Sequence, residues 1–200
     1  MSEVNNTDGK LKSRAGLLGL LGIFFGPLVL ATWMFYNLDA WQHPERSNYG
    51  ELMLPIQPLD VFNVQDDSAE TFGLDLFKQT WTLIYVGSSG CDIYCETSLF
   101  GMRQSRSMLG NDMSRLQYVF LAIDDQSFEA AKQLQTRHPK LMVMRVMDNS
   151  QTLAQFGTQP LGQVFLVDPH ANRVLRYKQG FSTKGLYGDL HKLLQNSRIG

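Results

Sequence analysis

The chain is short of excess positive charge and of cysteine. Its 18 Lys and Arg are offset by 19 Asp and Glu, for a formal net charge of −1, and no dense basic run breaks that balance. The electrostatic footprint of a nucleic-acid surface is missing, which argues against nucleic acid as a partner. Internal repeats and low-complexity tracts are missing too, so the 200 residues read as one ordinary domain with extras. With 44% hydrophobic residues the chain can bury a core of normal size. Only two cysteines occur, Cys91 and Cys95, which confines any sulfur chemistry to one pair.

Charge is also missing from one long stretch. Residues 15–36 carry no charged side chain. As a helix this stretch is about 33 Å long, enough to cross a hydrocarbon core of roughly 30 Å. It lacks an A-x-A-like cleavage site and exceeds the roughly 7–15 apolar residues of a signal-peptide core. A helix of this length that is apolar on every side also reads poorly as part of a soluble core. We therefore read 1–14 as a cytoplasmic N-terminus and 15–36 as a retained transmembrane anchor. Lys10, Lys12 and Arg14 precede the anchor, and the positive-inside rule then exports everything after it. Trp33, Tyr36 and Trp41 are expected near the outer interface. Glu3 and Asp8 fit poorly with an acid-poor transit peptide. The expected placement is a single-pass protein of the bacterial inner membrane with a periplasmic C-terminal domain, where disulfides persist.

Residues 37–58 are polar and carry Pro44, Pro55 and Pro58, the composition of a tether. Beyond it the pattern alternates. Buried strands are expected over 81–86, 117–123 and 141–147, and helices over 96–109 and 127–137. Ser127 is the expected N-cap of the second helix and Pro139 its stop. A hairpin over 162–178 turns at 168–172, and a last helix covers 184–196. Strands alternating with helices imply a largely parallel sheet, here closed by a hairpin and a final helix. The fold class is α/β: over 59–200 a thioredoxin-like domain, a mixed central sheet flanked by helices, behind one transmembrane helix.

In that layout Cys91 lies just past the first central strand and Cys95 in the first turn of the next helix. Free N–H groups and the positive helix end stabilise a thiolate there. Both sulfurs are expected on one exposed side of that turn, reached through the Gly/Ser loop 87–90. A purely structural bridge is the weaker reading, because closing so short a loop gives only about 2 kcal/mol in the chain-entropy model. Two thiolates on one turn can exchange electrons as a dithiol/disulfide couple or bind a soft ion such as Cu(I). Dithiol oxidoreductases of the thioredoxin type place two residues between their cysteines, whereas here three intervene.

The three-residue spacing after a central strand, the anchor, the tether and the thioredoxin-like pattern together resemble the Sco (SenC) family. The resemblance covers roughly 52–196 and rests on 81–95, on 118–125 and on 164–174. It implies a membrane-anchored copper protein that helps assemble the CuA centre of cytochrome c oxidase, with Cys91 and Cys95 as Cu(I) ligands and the CuA-bearing subunit as partner. The chain departs from the family at Asp92 and Glu96, where prolines are usual. The segment between the second central strand and the hairpin is also shorter than usual. At the place of the usual histidine ligand stands Pro160. None of His43, His138, His170 and His191 reads as a replacement, and His138 is expected at the far side of the sheet. Met142 and Met144 read as core, with Met147 the better methionine candidate. Asp124, Asp125 and Asp148 read as solvated strand ends at the rim. The missing histidine leaves open a metal-free thiol–disulfide oxidoreductase acting on oxidase-subunit cysteines, in which Cys91 and Cys95 are the catalytic pair. The replaced prolines at Asp92 and Glu96 leave open a non-catalytic interaction domain.

Overall fold

A computed structural model describes residues 7–36, 48–56 and 58–197. The chain divides into two compact units, Met1–Ser47 and Asn48–Gly200. The first contains helix α1, Thr7–Tyr36, with Pro27 inside it. Its stretch Gly19–Tyr36 has a mean hydropathy of 1.7 and is nowhere buried. With no polar face to offer water, α1 is a candidate membrane span. Trp41 and His43 lie outside the described residues.

The second unit is a mixed eight-stranded sheet with helices. In chain order its elements are β1 (Glu51–Leu52), β2 (Val64–Gln65), β3 (Thr71–Phe72), β4 (Trp81–Gly87), α2 (Ile93–Met108) and β5 (Leu116–Ala122). Then come α3 (Asp125–Leu134), β6 (Leu141–Val146), α4 (Asn149–Ala154), β7 (Val164–Val167), β8 (Arg173–Tyr177) and α5 (Thr183–Asn196). The strand order is β1-β8-β7-β4-β5-β6-β2-β3. The centre, β4-β5-β6, is parallel, while β7 pairs antiparallel with β4 and β8 antiparallel with β7.

Every residue of β4 is buried, as expected of a central strand covered on both faces. Alternate side chains feed two cores. Leu83, Tyr85, Tyr118 and Phe120 meet α2, α3 and α5 through Leu99, Phe128 and Leu190. Ile84, Val86, Val119 and Leu121 meet Phe62, Phe77 and Phe156 on the other face. Helices α2 and α3 therefore lie side by side over one face, both leaving the rim where the parallel strands end.

Several elements depart from the sequence reading. β1, β2 and β3 are two residues each, too short for a period-2 pattern, and α4 is under two turns. β1 falls within 37–58, the segment read as a tether. There Glu51 and Leu52 pair with Arg176 and Leu175. The N-cap of α3 is Asp124 rather than Ser127. The Asp124 carboxylate accepts the Ser127 N–H while the Ser127 hydroxyl accepts the Asp124 N–H, a capping box in which Ser127 is the third residue in. Met144 is buried and Met142 packs against the same core, so both methionines are packing groups.

Candidate functional site

The site is built where β4 runs out. Gly87 closes the strand against Phe120, where a Cβ would sit 2.1 Å from the ring, so only glycine fits. Ser89 and Gly90 then take φ values of 53° and 95°, two successive left-handed residues that swing the chain off the sheet. The Ser89 N–H donates to Asp124 Oδ2 at 2.9 Å, fixing this loop to the next strand end. Asp124 is therefore a bridge rather than a solvated strand end. Burial pushes its carboxyl up, but N–H groups of Ser127 and Ser89 and the Ser127 hydroxyl outweigh that and hold it below the usual carboxylate range.

Asp92 caps α2, its carboxylate accepting the Cys95 N–H at 2.9 Å. The helix thus begins at Ile93, three residues earlier than the sequence reading placed it. Cys91 and Cys95 are joined as a disulfide, with their Cα atoms 5.2 Å apart. The expectation that both sulfurs stand on an exposed lip differs from the structure, in which neither cysteine is fully exposed and Cys91 packs at the edge of the core that holds Cys95. Cys91 is half-buried, whereas Cys95 is 2% exposed within the core that holds Leu99. Facing inward from the first turn, Cys95 must point at the sheet once its neighbours Ile93 and Tyr94 point out. Tyr85 lies in the same core, its phenol pushed up to about 12 by burial and then by the Asp92 charge. Tyr85 is therefore neutral at pH 7.

The loop before β7 borders the same place: the Gly162 N–H donates to the Val86 carbonyl and the Val86 N–H to the Gln163 carbonyl. Pro160, where the Sco-type histidine would stand, is buried and its side chain has no donor atom for a metal. Gln163 Oε1 is buried without a partner, but an amide oxygen is a poor ligand for a soft ion. His170 is exposed in the β7–β8 turn and His191 lies on α5 beside Gln195. Met147 is exposed at the rim. Among the described residues no group of three or more His, Cys, Asp or Glu is placed to hold a metal. The described residues do not form a closed copper site while the two sulfurs are bonded to each other.

Two features were missed from sequence. The Asp92 cap was legible, since Asp directly before a helix is a cap signal. The bidentate pair of Arg137 with Glu96, at 3.2 and 3.0 Å, joins residues 41 apart and had no local signal. His138 is buried beside it, facing α2.

The family model described as "transmembrane-like, thioredoxin-like, C-terminal domain" matches residues 81–197. No curated protein matches the chain. Among solved structures, the apo Sco1 protein of Thermus thermophilus is similar at 20% identity and a TM-score of 0.61, over 73% of this chain and 96% of that one. Yeast Sco1 with copper bound is similar at 15% identity and 0.58, over 70% and 90%. The thioredoxin domain of a thiol-disulfide oxidoreductase from Bacteroides vulgatus is similar at 15% identity and 0.57, over 69% and 96%. At these identities the likeness is one of fold.

Proposed function

The chain belongs to the transmembrane-like, thioredoxin-like C-terminal domain family, and on that footing we propose that it is a membrane-anchored thiol–disulfide exchange protein working through Cys91 and Cys95. The observation that carries this reading is the asymmetry of the pair: Cys91 half-buried just past the end of β4, its partner Cys95 2% exposed in the core. In the reduced form the Cys91 thiolate attacks a disulfide sulfur of a client. A mixed disulfide forms and a client thiolate leaves, taking a proton. Cys95 then attacks Cys91 Sγ, re-forming the internal disulfide and releasing the second client thiol. The client gains two electrons and two protons, and a dithiol donor must resupply both to this chain. An anchor at 15–36 keeps the domain at the outer face of the bacterial inner membrane, where membrane-bound clients pass.

A second reading is favoured by the fold shared with Sco proteins holding copper: the reduced pair passes Cu(I) as cargo to the CuA-bearing subunit of cytochrome c oxidase. Without a histidine near Pro160 this chain supplies two sulfurs, which suits Cu(I) and not Cu(II). Two assays on the full chain separate the readings. Cys95→Ala trapping a client on Cys91, with Cys91→Ala trapping nothing, supports exchange; equal trapping by both variants would refute it. Anaerobic Cu(I) titration against a competing chelator supports the cargo reading only if one equivalent is held by the reduced form and lost in Cys91→Ser.

A further inference from the structure

Two residues past Cys91, the outer face of α2 departs from the usual rule for a surface helix. Ile93 is 71% exposed and Phe100, two turns on, is 50% exposed. Together they form one apolar wall of a groove of about 480 Å³ between α2 and the turn that enters β6. The other wall is Arg137 and His138. The groove holds two guanidiniums, those of Arg103 and Arg137, against one carboxylate, that of Glu96, and Arg137 already takes that carboxylate in both arms. Arg103 donates to the Arg137 carbonyl at 2.6 Å and lies 5.8 Å from the Phe100 ring centre, and among the described residues it meets no carboxylate. His138 is 6% exposed, and its Nδ1 is buried without a hydrogen-bond partner. Burial, then the Arg103 and Arg137 charges, hold its imidazole below the usual histidine range, so it adds no charge of its own at pH 7.

We propose that this groove is the client-docking surface, taking an extended peptide segment that carries a large apolar side chain beside a carboxylate. The apolar side chain lies on Ile93 and Phe100, and the carboxylate pairs with the donors of Arg103 that the protein leaves unused. An acidic segment is chosen over a basic one because the uncompensated charge in the groove is positive. Ile93, in the groove wall, is two residues from Cys91, so a client whose cysteine meets Cys91 has its flanking residues led along α2. The inference rests on the thiol-exchange reading for its purpose, but not for its test.

The test uses the full chain, oxidised and in detergent micelles, with cysteine-free probes so that exchange plays no part. A fluorescein-labelled peptide with Phe-Glu repeats in a Gly-Ser background and its Phe-Lys counterpart are titrated by anisotropy at low salt. The acidic peptide should bind about ten-fold tighter, the scale set by exchanging an attractive charge contact for a like-charge one. Arg103→Glu should invert the order, which a merely misfolded variant would not do, and Phe100→Ser should weaken both peptides. Equal affinity for the two peptides, or a preference that survives Arg103→Glu, would overturn the proposal. So would self-association of the chain abolished by the same variants, which would assign the groove to a second copy.

Discussion

At the scale of single residues, the site depends on what the acids at the rim do. Asp92 stands where Sco-type motifs carry proline, and it supplies the cap of the helix that bears Cys95. Asp92→Ala should lower the unfolding free energy by about 1 kcal/mol, read from the denaturant midpoint, with Asp92→Asn closer to the parent because Asn caps equally well. Tyr85 offers a spectroscopic check. Burial raises its phenol to about 12. Folded protein at pH 11 should therefore show the same phenolate absorbance as Tyr85→Phe, and a difference should appear only after denaturation. Because the folded value is the higher one, the stability Tyr85 contributes is complete below its ordinary value near 10 and is lost as pH rises toward about 12. Cys91 and Cys95 were legible as a pair from spacing and position alone. Their unequal burial was not, because it depends on which side chains of the first turn of α2 meet the sheet, and that needs the partners Leu99 and Tyr85 brought together by the fold.

At the scale of elements, the domain is closed by a long-range clasp. Asp189 on α5 is buried, and its carboxylate accepts the N–H groups of Tyr49 and Gly50 at 3.0 and 2.8 Å and the Tyr177 hydroxyl at 3.0 Å. Gly185 lets the Tyr49 ring lie on the helix, since a Cβ there would meet that ring at 2.8 Å. Asp189→Ala leaves two buried donors, the Gly50 N–H and the Tyr177 hydroxyl, and the part-buried Tyr49 N–H without an acceptor, and should cost roughly 2–4 kcal/mol. Hydrogen exchange should show the amides of 49–52 losing protection while those of β4 and β5 keep theirs. The strands at 81–87, 116–122, 141–146 and the closing hairpin were readable as apolar runs between turn signals. The two-residue strands, α4 and the clasp were not, because each exists through partners far along the chain rather than through local periodicity.

At the scale of the whole molecule, an apolar helix precedes a domain that carries its cysteine pair just past the end of β4. Deleting 1–47 removes the candidate span and leaves the unit Asn48–Gly200 intact. Placed behind a cleavable export signal, the truncated chain should appear in the soluble fraction with its disulfide formed, and persistence in the membrane fraction would place the anchor elsewhere. The thioredoxin-like architecture was legible from the order of strands and helices. The groove beside α2 was not, since it needs Phe100 and His138 to face one another across two elements. The central claim, that Cys91–Cys95 is a working couple rather than a staple, is tested most directly by equilibrating the full chain in graded dithiol/disulfide buffers and counting alkylated thiols by mass. Both cysteines should open together in one two-electron step, with the fold retained and a midpoint in the range of exchange catalysts, about −270 to −120 mV. A pair that stays oxidised below about −300 mV, or opens only as the protein unfolds, would contradict it.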